Sequence, residues 1–437
     1  MAQQKYDTAE AQNVMREIFD GRVYMQFEVG SVLWNLWPDA EAEFVHDKGM
    51  EWAVYLEPNP SMAAIGDGGV MPRGSTSKKR RMKVTYATFT LARRLTGQVL
   101  YTDRNSIIKG LTPLMKEDSE VFTKALNRLA YGTGDGSLAT AQGAPAGTAD
   151  VVMSGSLGSQ LIYKRGAFNI VDPAAGTKRT ITVGGLAYST FYAVTNAKST
   201  ATVGFSVDEG AATSDVISAT TIQAGGSVVM DGSWGLNIHG LGYHGNNTGT
   251  YQNLSRTTYS DTIVPPIKDA RNGPLTVALM DWLETKVIFA KGTQHNMASL
   301  FWLTSPTQIY AYRTLGYNTD TKVMKQFAGT DVKLDLGWQV LEHNGRQMLP
   351  DVDCPPDIMD LLQRDSFRKL MAKQPGIIDD NGQTLYMVPA YDSSGNGSFK
   401  WEYVYFMATL ADIANKDILS SGFLKGLSTD NLPTASN

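Results

Sequence analysis

A single cysteine, Cys354, in 437 residues leaves no basis for an internal disulfide framework and fits a reducing compartment. No apolar run approaches the roughly 18 to 20 residues that a membrane-spanning helix needs. The polar opening MAQQKYDTAE lacks the apolar segment of a signal peptide. A net charge of −4 gives no general attraction to nucleic acid or to an anionic membrane. Histidine is sparse. Of His46, His239, His244, His295 and His343 only His239 and His244 are close in sequence, at a spacing that does not match a helical ligand pair, and in a glycine-rich loop they read as solvated. Cys354, beside two prolines, has no base or charged activator nearby and reads as an idle thiol. No G-x-S-x-G elbow occurs, and VGGLA and AGGSV lack the lysine, the serine or threonine and the following helix of a phosphate-binding loop. The expectation is therefore no catalytic residue, no metal, no cofactor and no membrane.

What is present is a folded chain, 42% hydrophobic and 19% charged, long enough for two or three domains. The stretch from Asp103 to Gly136 organises it. Its apolar positions Ile107, Leu111, Met115, Phe122, Leu126 and Leu129 recur at three- and four-residue steps and predict one apolar stripe on a long helix. At 1.5 Å per residue about 26 residues span roughly 40 Å. Pro113 predicts either a kink or a helix that starts at Thr112. Gly132 and Gly134 can end it.

Ahead of this helix the charge reverses along the chain. Between Trp37 and Ile65 six acids stand against Lys48, a net −5. Between Gly66 and Arg94 eight basic residues stand against Asp67, a net +7. FVHDKGMEWAVYLEP predicts two short strands joined at Asp47-Lys48-Gly49, and MKVTYATFTLARRL alternates like a strand after the excursion GDGGVMPRGSTSKKRR. Together they predict a long two-stranded loop that needs a surface to rest on, from its own chain or from a copy. Residues 1 to 35 predict a short helix and an extended arm. After the helix, SLATAQGAPAG reads as a small-residue linker. From Val151 to about Thr250, AFNIVD, TKRTITVGGL, STFYAVTN, ATVGFSVD, DVISATTIQ and GSVVMDGS are short alternating runs between turns, the pattern of an all-β barrel or sandwich. Helix returns after Pro274 and ends at Gly292, MASLFWLT predicts a buried strand, and SPTQIYAYRTLG a helix capped by Ser305 and stopped by Gly316. DVKLDLG and WQVLEHNGRQMLPD predict strands with an Asn344-Gly345 turn. PPDIMDLLQRDSFRKL predicts a short helix, and TLYMVPAYDSSGNGSFKWEYVYFMATLADI two strands, the second long and central.

This order of pieces resembles the major capsid protein of tailed bacteriophages, the Hong Kong 97-like fold. EVFTKALNRLAYGTGDG, the segment RTTYSDT to NGPLTVALMDWLETKVIFAKG with SPTQIYAYRTL, and KWEYVYFMATLADI to ILSSGFLKGL carry the likeness. It covers about residues 10 to 428, with 151–250 standing as an insertion. The resemblance implies an α+β fold with a long spine helix, an extended E-loop and an inserted all-β domain. Carried over, 1–35 is an N-terminal arm, 36–103 the E-loop (60–95) with peripheral-domain strands, and 104–136 the spine-helix segment. Residues 255–350 are then mostly axial domain, and 351–428 the remaining axial and peripheral elements. It implies spine-helix core positions Leu111, Met115, Phe122, Leu126 and Leu129. It also implies that the E-loop touches neighbouring copies through Arg73, Lys78, Lys79, Arg80, Arg81 and Lys83.

The implied partners are further copies, as pentamers and hexamers of a shell assembled in the host cytoplasm around double-stranded DNA held non-specifically on the inner face. A separate scaffolding protein and a portal are expected, with a decoration protein as a further candidate. Some family members cross-link a loop lysine to a neighbour's asparagine. Lys78, Lys79 and Lys83 lie in that region, and no asparagine partner is identified. Two rival readings are a multidomain hydrolase with an accessory β-sandwich, motivated by the α/β pieces, and a β-rich surface adhesin, which the missing signal peptide opposes.

Overall fold

The computed structural model describes residues 32–40, 45–46, 49–62, 64–65, 67, 69–71, 73–96, 104–143, 150–154, 162, 164–183, 185–194, 202–208, 211, 225–291, 299–318, 341–378, 385–391 and 397–429. Side chains are described for all of these but 45–46, 96, 104–115, 143, 150, 154, 202, 316–318, 373–375, 388–391 and 397–401. Most of the expected arm, together with DVISATTIQ and DVKLDLG, lies outside the described residues. The chain divides into two compact units: one comprises Met1–Asn35, Ala87–Ile238 and Met371–Ala411, the other Leu36–Tyr86, His239–Leu370 and Asp412–Asn437.

In the second unit, β1 (Val45–His46), β2 (Gly49–Glu57) and β3 (Lys78–Thr85) form an antiparallel ladder. β1 ends at His46 and β2 starts at Gly49, on either side of the predicted junction, whose Asp47 and Lys48 lie outside the described residues. Only glycine fits the junction's last position: Gly49 has φ +146°, and a Cβ there would sit 1.9 Å from the Val84 carbonyl oxygen.

In the first unit, β4 (Ala87–Thr96) precedes helix α1 (Arg104–Leu129), which runs through Pro113 rather than starting at it. Phe122, Leu126 and Leu129 are buried as the stripe predicts, while the side chains of Leu111 and Met115 lie outside the described set. β4 pairs along ten residues with the long strand Gly397–Asn415, Glu402↔Thr96 through Ala411↔Ala87. One carboxylate fastens the helix to this sheet. Asp118 of α1, 2% exposed, accepts a 2.5 Å hydrogen bond from Arg93 of β4 and a short one from the Tyr405 hydroxyl of the long strand. Burial first, and then the bond to Asp118, push the Tyr405 phenol up.

The same unit holds a closed barrel. Its strands are β5 (Ser137–Gly143), β6 (Asp150–Ser154), β7 (Ala167–Asp172), β8 (Phe191–Ala193), β9 (Thr202–Ser206) and β10 (Gly226–Met230). They pair antiparallel in the ring β5-β6-β9-β8-β7-β10, with β10 returning to β5. β7, β8 and β9 are successive antiparallel neighbours in the ring, with three short strands in the connection from β7 to β8, and β10 returns beside β7, a Greek key. Of the two architectures the sequence left open, the barrel is the one found. SLATAQG, read as linker, is its first strand. Ala139 and Ala141 are buried inside, and closure against β10 outweighs the low strand propensity of alanine. Asn169, also buried, donates to the Ser189 carbonyl and accepts from the Gly232 amide, tying β7 to two loops.

The second unit also contains a six-stranded sheet. Its spatial order is Ile267–Gly273, Gly422–Leu427, Met359–Gln363, Leu300–Thr304, Arg346–Pro350, Leu341–His343. Helices α2 (Val277–Lys291) and α3 (Pro306–Asn318) pack on it through Met280, Leu283, Val287 and Ile309, against Trp302, Met359 and Leu361. The hairpin turn at Asn344 and Gly345, with φ of 49° and 77°, is as predicted. Three local expectations change. α2 begins at Val277 and not at Pro274, with the Thr276 hydroxyl accepting from the Leu279 amide. α3 runs past Gly316 to Asn318. MDLLQ, expected as helix, is a wholly buried strand between Leu300–Thr304 and Gly422–Leu427, because a short apolar run takes its structure from its neighbours.

Candidate inter-subunit surface

The β2–β3 hairpin is two-faced. Met50, Trp52 and Leu56 of β2 and Met82 and Val84 of β3 turn inward, while Glu51, Tyr55, Glu57, Lys79, Arg81 and Lys83 turn outward or to the rim. The register sets charges opposite each other: Glu51↔Lys83, Tyr55↔Lys79, Glu57↔Lys78. Lys78 lies 2.8 Å from Glu57 and Lys83 3.2 Å from Glu51, and the Lys79 ammonium sits 4.5 Å over the Tyr55 ring. The hydrogen bond to Glu57 raises the Lys78 pKa. Arg81 stands opposite Ala53, and Arg73 is exposed on the connecting loop. Of the six basic residues predicted for this surface, β3 carries all but Arg73, and two of those five are paired within their own hairpin. The acidic stretch that the sequence set against the basic one is thus met in the same chain.

β3 rests on residues 250–259 of the same unit from Lys83 to Lys78. The Lys83 amide donates to the Gln252 carbonyl at 3.0 Å, Arg80 Nε donates to the Tyr259 hydroxyl, and Lys78 lies over the Tyr259 ring. Gln252 is held in turn, its amide donating to the Tyr243 hydroxyl at 2.7 Å. Tyr243 and Tyr251 flank the Arg256 guanidinium, which donates to the Thr248 and Tyr243 carbonyls. His239 and His244 belong to this polar knot, which corrects their reading as solvated. His239 Nδ1 is 2.7 Å from Asp412, and His244, fully buried, meets the Tyr251 hydroxyl at 3.0 Å. Burial opposes a charged His239, but its bond to Asp412 prevails and raises its pKa. Burial lowers His244 to about 3. Tyr243, Tyr251 and Tyr259 were missed because loop tyrosines carry no periodic signal.

Asp281, Glu284 and His343 also converge, where α2 meets the turn after Leu341–His343. Arg346 pairs with Glu284 there, and the Asn344 amide donates to both carboxylates. The guanidinium supplies the positive charge that two acids call for, and the group pins the hairpin turn to the helix.

No protein-family model matches the sequence, and no curated protein matches it. Solved structures do match. The chain superimposes on the Cyanophage A-1(L) capsid asymmetric unit with a TM-score of 0.53 and 14% identity, over 93% of this chain and 95% of that one. The capsid of an empty GTA particle gives 0.45 and 9%, covering 93% of each chain. The capsid of the Myoviridae phage XM1 gives 0.43 and 8%, over 93% and 95%. The first of these carries the assignment: the chain has an α+β phage-capsid fold along nearly its whole length.

Proposed function

We propose that this chain is a structural major capsid protein that assembles as pentamers and hexamers into an icosahedral shell around phage DNA. The observation that carries the reading is a capsid fold matched over nearly all of both chains, without a large domain left over to hold a separate activity. In this reading α1 is the spine helix, and the E-loop, expected over 60–95, is the β2–β3 hairpin with residues 58–77, since the strand from Ala87 pairs instead with the long strand Gly397–Asn415. The barrel is a domain inserted after the spine, displayed on the outer face. Arg73, Lys78, Lys79, Arg80, Arg81 and Lys83 face a neighbouring copy, Arg73 and Arg81 with the fewest ties of their own. A separate scaffolding protein, a portal and a decoration protein are further partners, and DNA lies against the inner wall without sequence preference.

The barrel's geometry supports its reading as an insertion. β5 and β10 are its first and last strands and they pair with each other, so the chain leaves and rejoins at neighbouring points. The hydrolase and adhesin readings have no comparable observation behind them. Negative-stain electron microscopy of the purified chain tests the proposal: shells, or discrete pentamers and hexamers, are expected, and a monomer with measurable turnover would refute it.

A further inference from the structure

On the edge strand Ile267–Gly273 and the adjoining flank of α2, positive charges stand without acids to meet them. Lys268 and Lys286 both lie against the Trp282 ring, 5.0 and 5.6 Å from its centre. Leu279, Trp282 and Lys286 follow one another at three- and four-residue steps and so share that flank of the helix. The acids of α2 fall on the opposite flank, where Asp281 and Glu284 are engaged by His343, Asn344 and Arg346. Among the described residues no carboxylate pairs with the side chains of Lys268, Arg271 or Lys286.

A cavity of about 540 Å³ opens here, lined by Lys268, Asp269, Ala270, Arg271 and Leu279. A tight turn sets Arg271 on it. Arg271 and Asn272 have φ of 52° and 59°, a backbone conformation that arginine rarely takes. Asp269 holds the turn, its Oδ1 accepting from the Arg271 amide at 2.8 Å, so the one acid on the lining is engaged by backbone. Gly426 of the neighbouring strand leaves room for that carboxylate, since a Cβ there would sit 2.5 Å from Asp269 Oδ1. Left-handed backbone at a residue other than glycine persists only where its surroundings hold it, and it gathers at ligand sites.

We propose that this cavity binds a small polyphosphate, either free or as the phosphate chain of a nucleotide. Size and charge carry the choice. The volume lies within the range of small-molecule sites. A single carboxylate would leave two of the three cations unmatched, whereas a chain of phosphates offers oxygens to the Arg271 fork and to the lysine ammoniums together. Ala270 and Leu279 give the rest of the wall an apolar surface, against which a nucleoside can lie. The site is complete within one chain and does not depend on the capsid reading.

The test is isothermal titration calorimetry of the purified chain at about 0.05 M salt, with inorganic triphosphate and adenosine triphosphate as probes. Each should fill one saturable site per chain. Lys268→Gln/Arg271→Gln should weaken both at least about tenfold with circular dichroism unchanged, since neither side chain has an ion pair to lose. Lys79→Gln/Arg81→Gln removes the same charge from the hairpin and should shift either affinity less than about twofold. Equal affinity for the two probes assigns recognition to the phosphate chain alone; tighter binding of the nucleotide adds a contact of its nucleoside with Ala270 and Leu279. No saturable binding by the wild-type chain up to about 1 mM probe, or an equal loss in both variants, would overturn the proposal. Displacement of triphosphate by a DNA duplex of about 20 base pairs, at equal phosphate concentration, would overturn it in favour of a nucleic-acid backbone contact.

Discussion

Asp360 and His244 are buried in the second unit and tilt its stability in opposite directions with pH. Burial pushes Asp360 up from 3.8 to about 8. Its folded-state value is raised, so the stability it contributes is complete below the unfolded value and is lost as pH rises through about 8. His244 is lowered from 6.5 to about 3, so its contribution is complete above 6.5 and is lost as pH falls toward about 3. The two slopes offset each other between about pH 4 and 6.5; between about 6.5 and 8 Asp360 removes about 1 to 2 kcal/mol, and His239, whose raised value also loses its contribution as pH rises above 6.5, adds to that limb. Asp360→Asn should flatten that alkaline limb in denaturant titrations at each pH; an unchanged slope would show that another group sets it. In the first unit, Asp118→Ala leaves Arg93 with only Glu117, 3.4 Å away, and strips the Tyr405 hydroxyl of its acceptor. The expected loss is about 3 kcal/mol, near the lower end for a broken buried pair because that second carboxylate remains, and Asp118→Asn should lose less. These partnerships join residues far apart in sequence, Asp118 to Tyr405 and His239 to Asp412, and no local pattern announces them.

Among elements, the hairpin and the barrel differ in how far their sequences disclosed them. Strand alternation made β2 legible, but KKRR, read as part of the flexible excursion, forms the first half of β3, and MKVTYATFTLARRL, read as one strand, is broken at Tyr86 into β3 and β4. The hairpin's register was not legible, and the register decides that Glu51 and Glu57 meet Lys83 and Lys78 of the same chain. Replacing Lys78, Lys79, Arg80 and Arg81 with serine removes the Lys78–Glu57 pair and the contacts with Tyr55 and Tyr259, all at the surface, and should leave the circular dichroism of the free protein unchanged. Any loss of particles should be smaller at high salt, where the wild-type attraction is already screened; an equal loss at both salt levels would show that the run acts other than through its charge. In the barrel, AFNIVD and GSVVMDGS announced β7 and β10, whereas β5 was hidden by its small residues, which suit the narrow interior of a six-stranded ring. Gly136, with φ +89° and a Cβ position 2.6 Å from the Ser233 carbonyl oxygen, lies where the barrel's two connections meet. Gly136→Ala should destabilise the barrel by about 1 to 3 kcal/mol. Hydrogen exchange should show 137–230 opening as one protection unit, separate from α1. Strands that lose protection only together with α1 would contradict its independence.

For the molecule as a whole, the order of pieces along the chain was legible: a long helix flanked by a charged hairpin and a run of short strands resembled a capsid fold, and the superposition bears that fold out. The neighbours were not legible. In the proposed shell, which surfaces meet would depend on the symmetry of the assembly, and no local pattern in the sequence of one copy announces that. In the proposed function this chain joins its own copies. Light scattering combined with electron microscopy of purified wild-type protein, over about a hundredfold range of concentration, measures that directly. The account predicts closed shells, or pentamers and hexamers whose proportion rises with concentration; a monodisperse monomer at every concentration would contradict it.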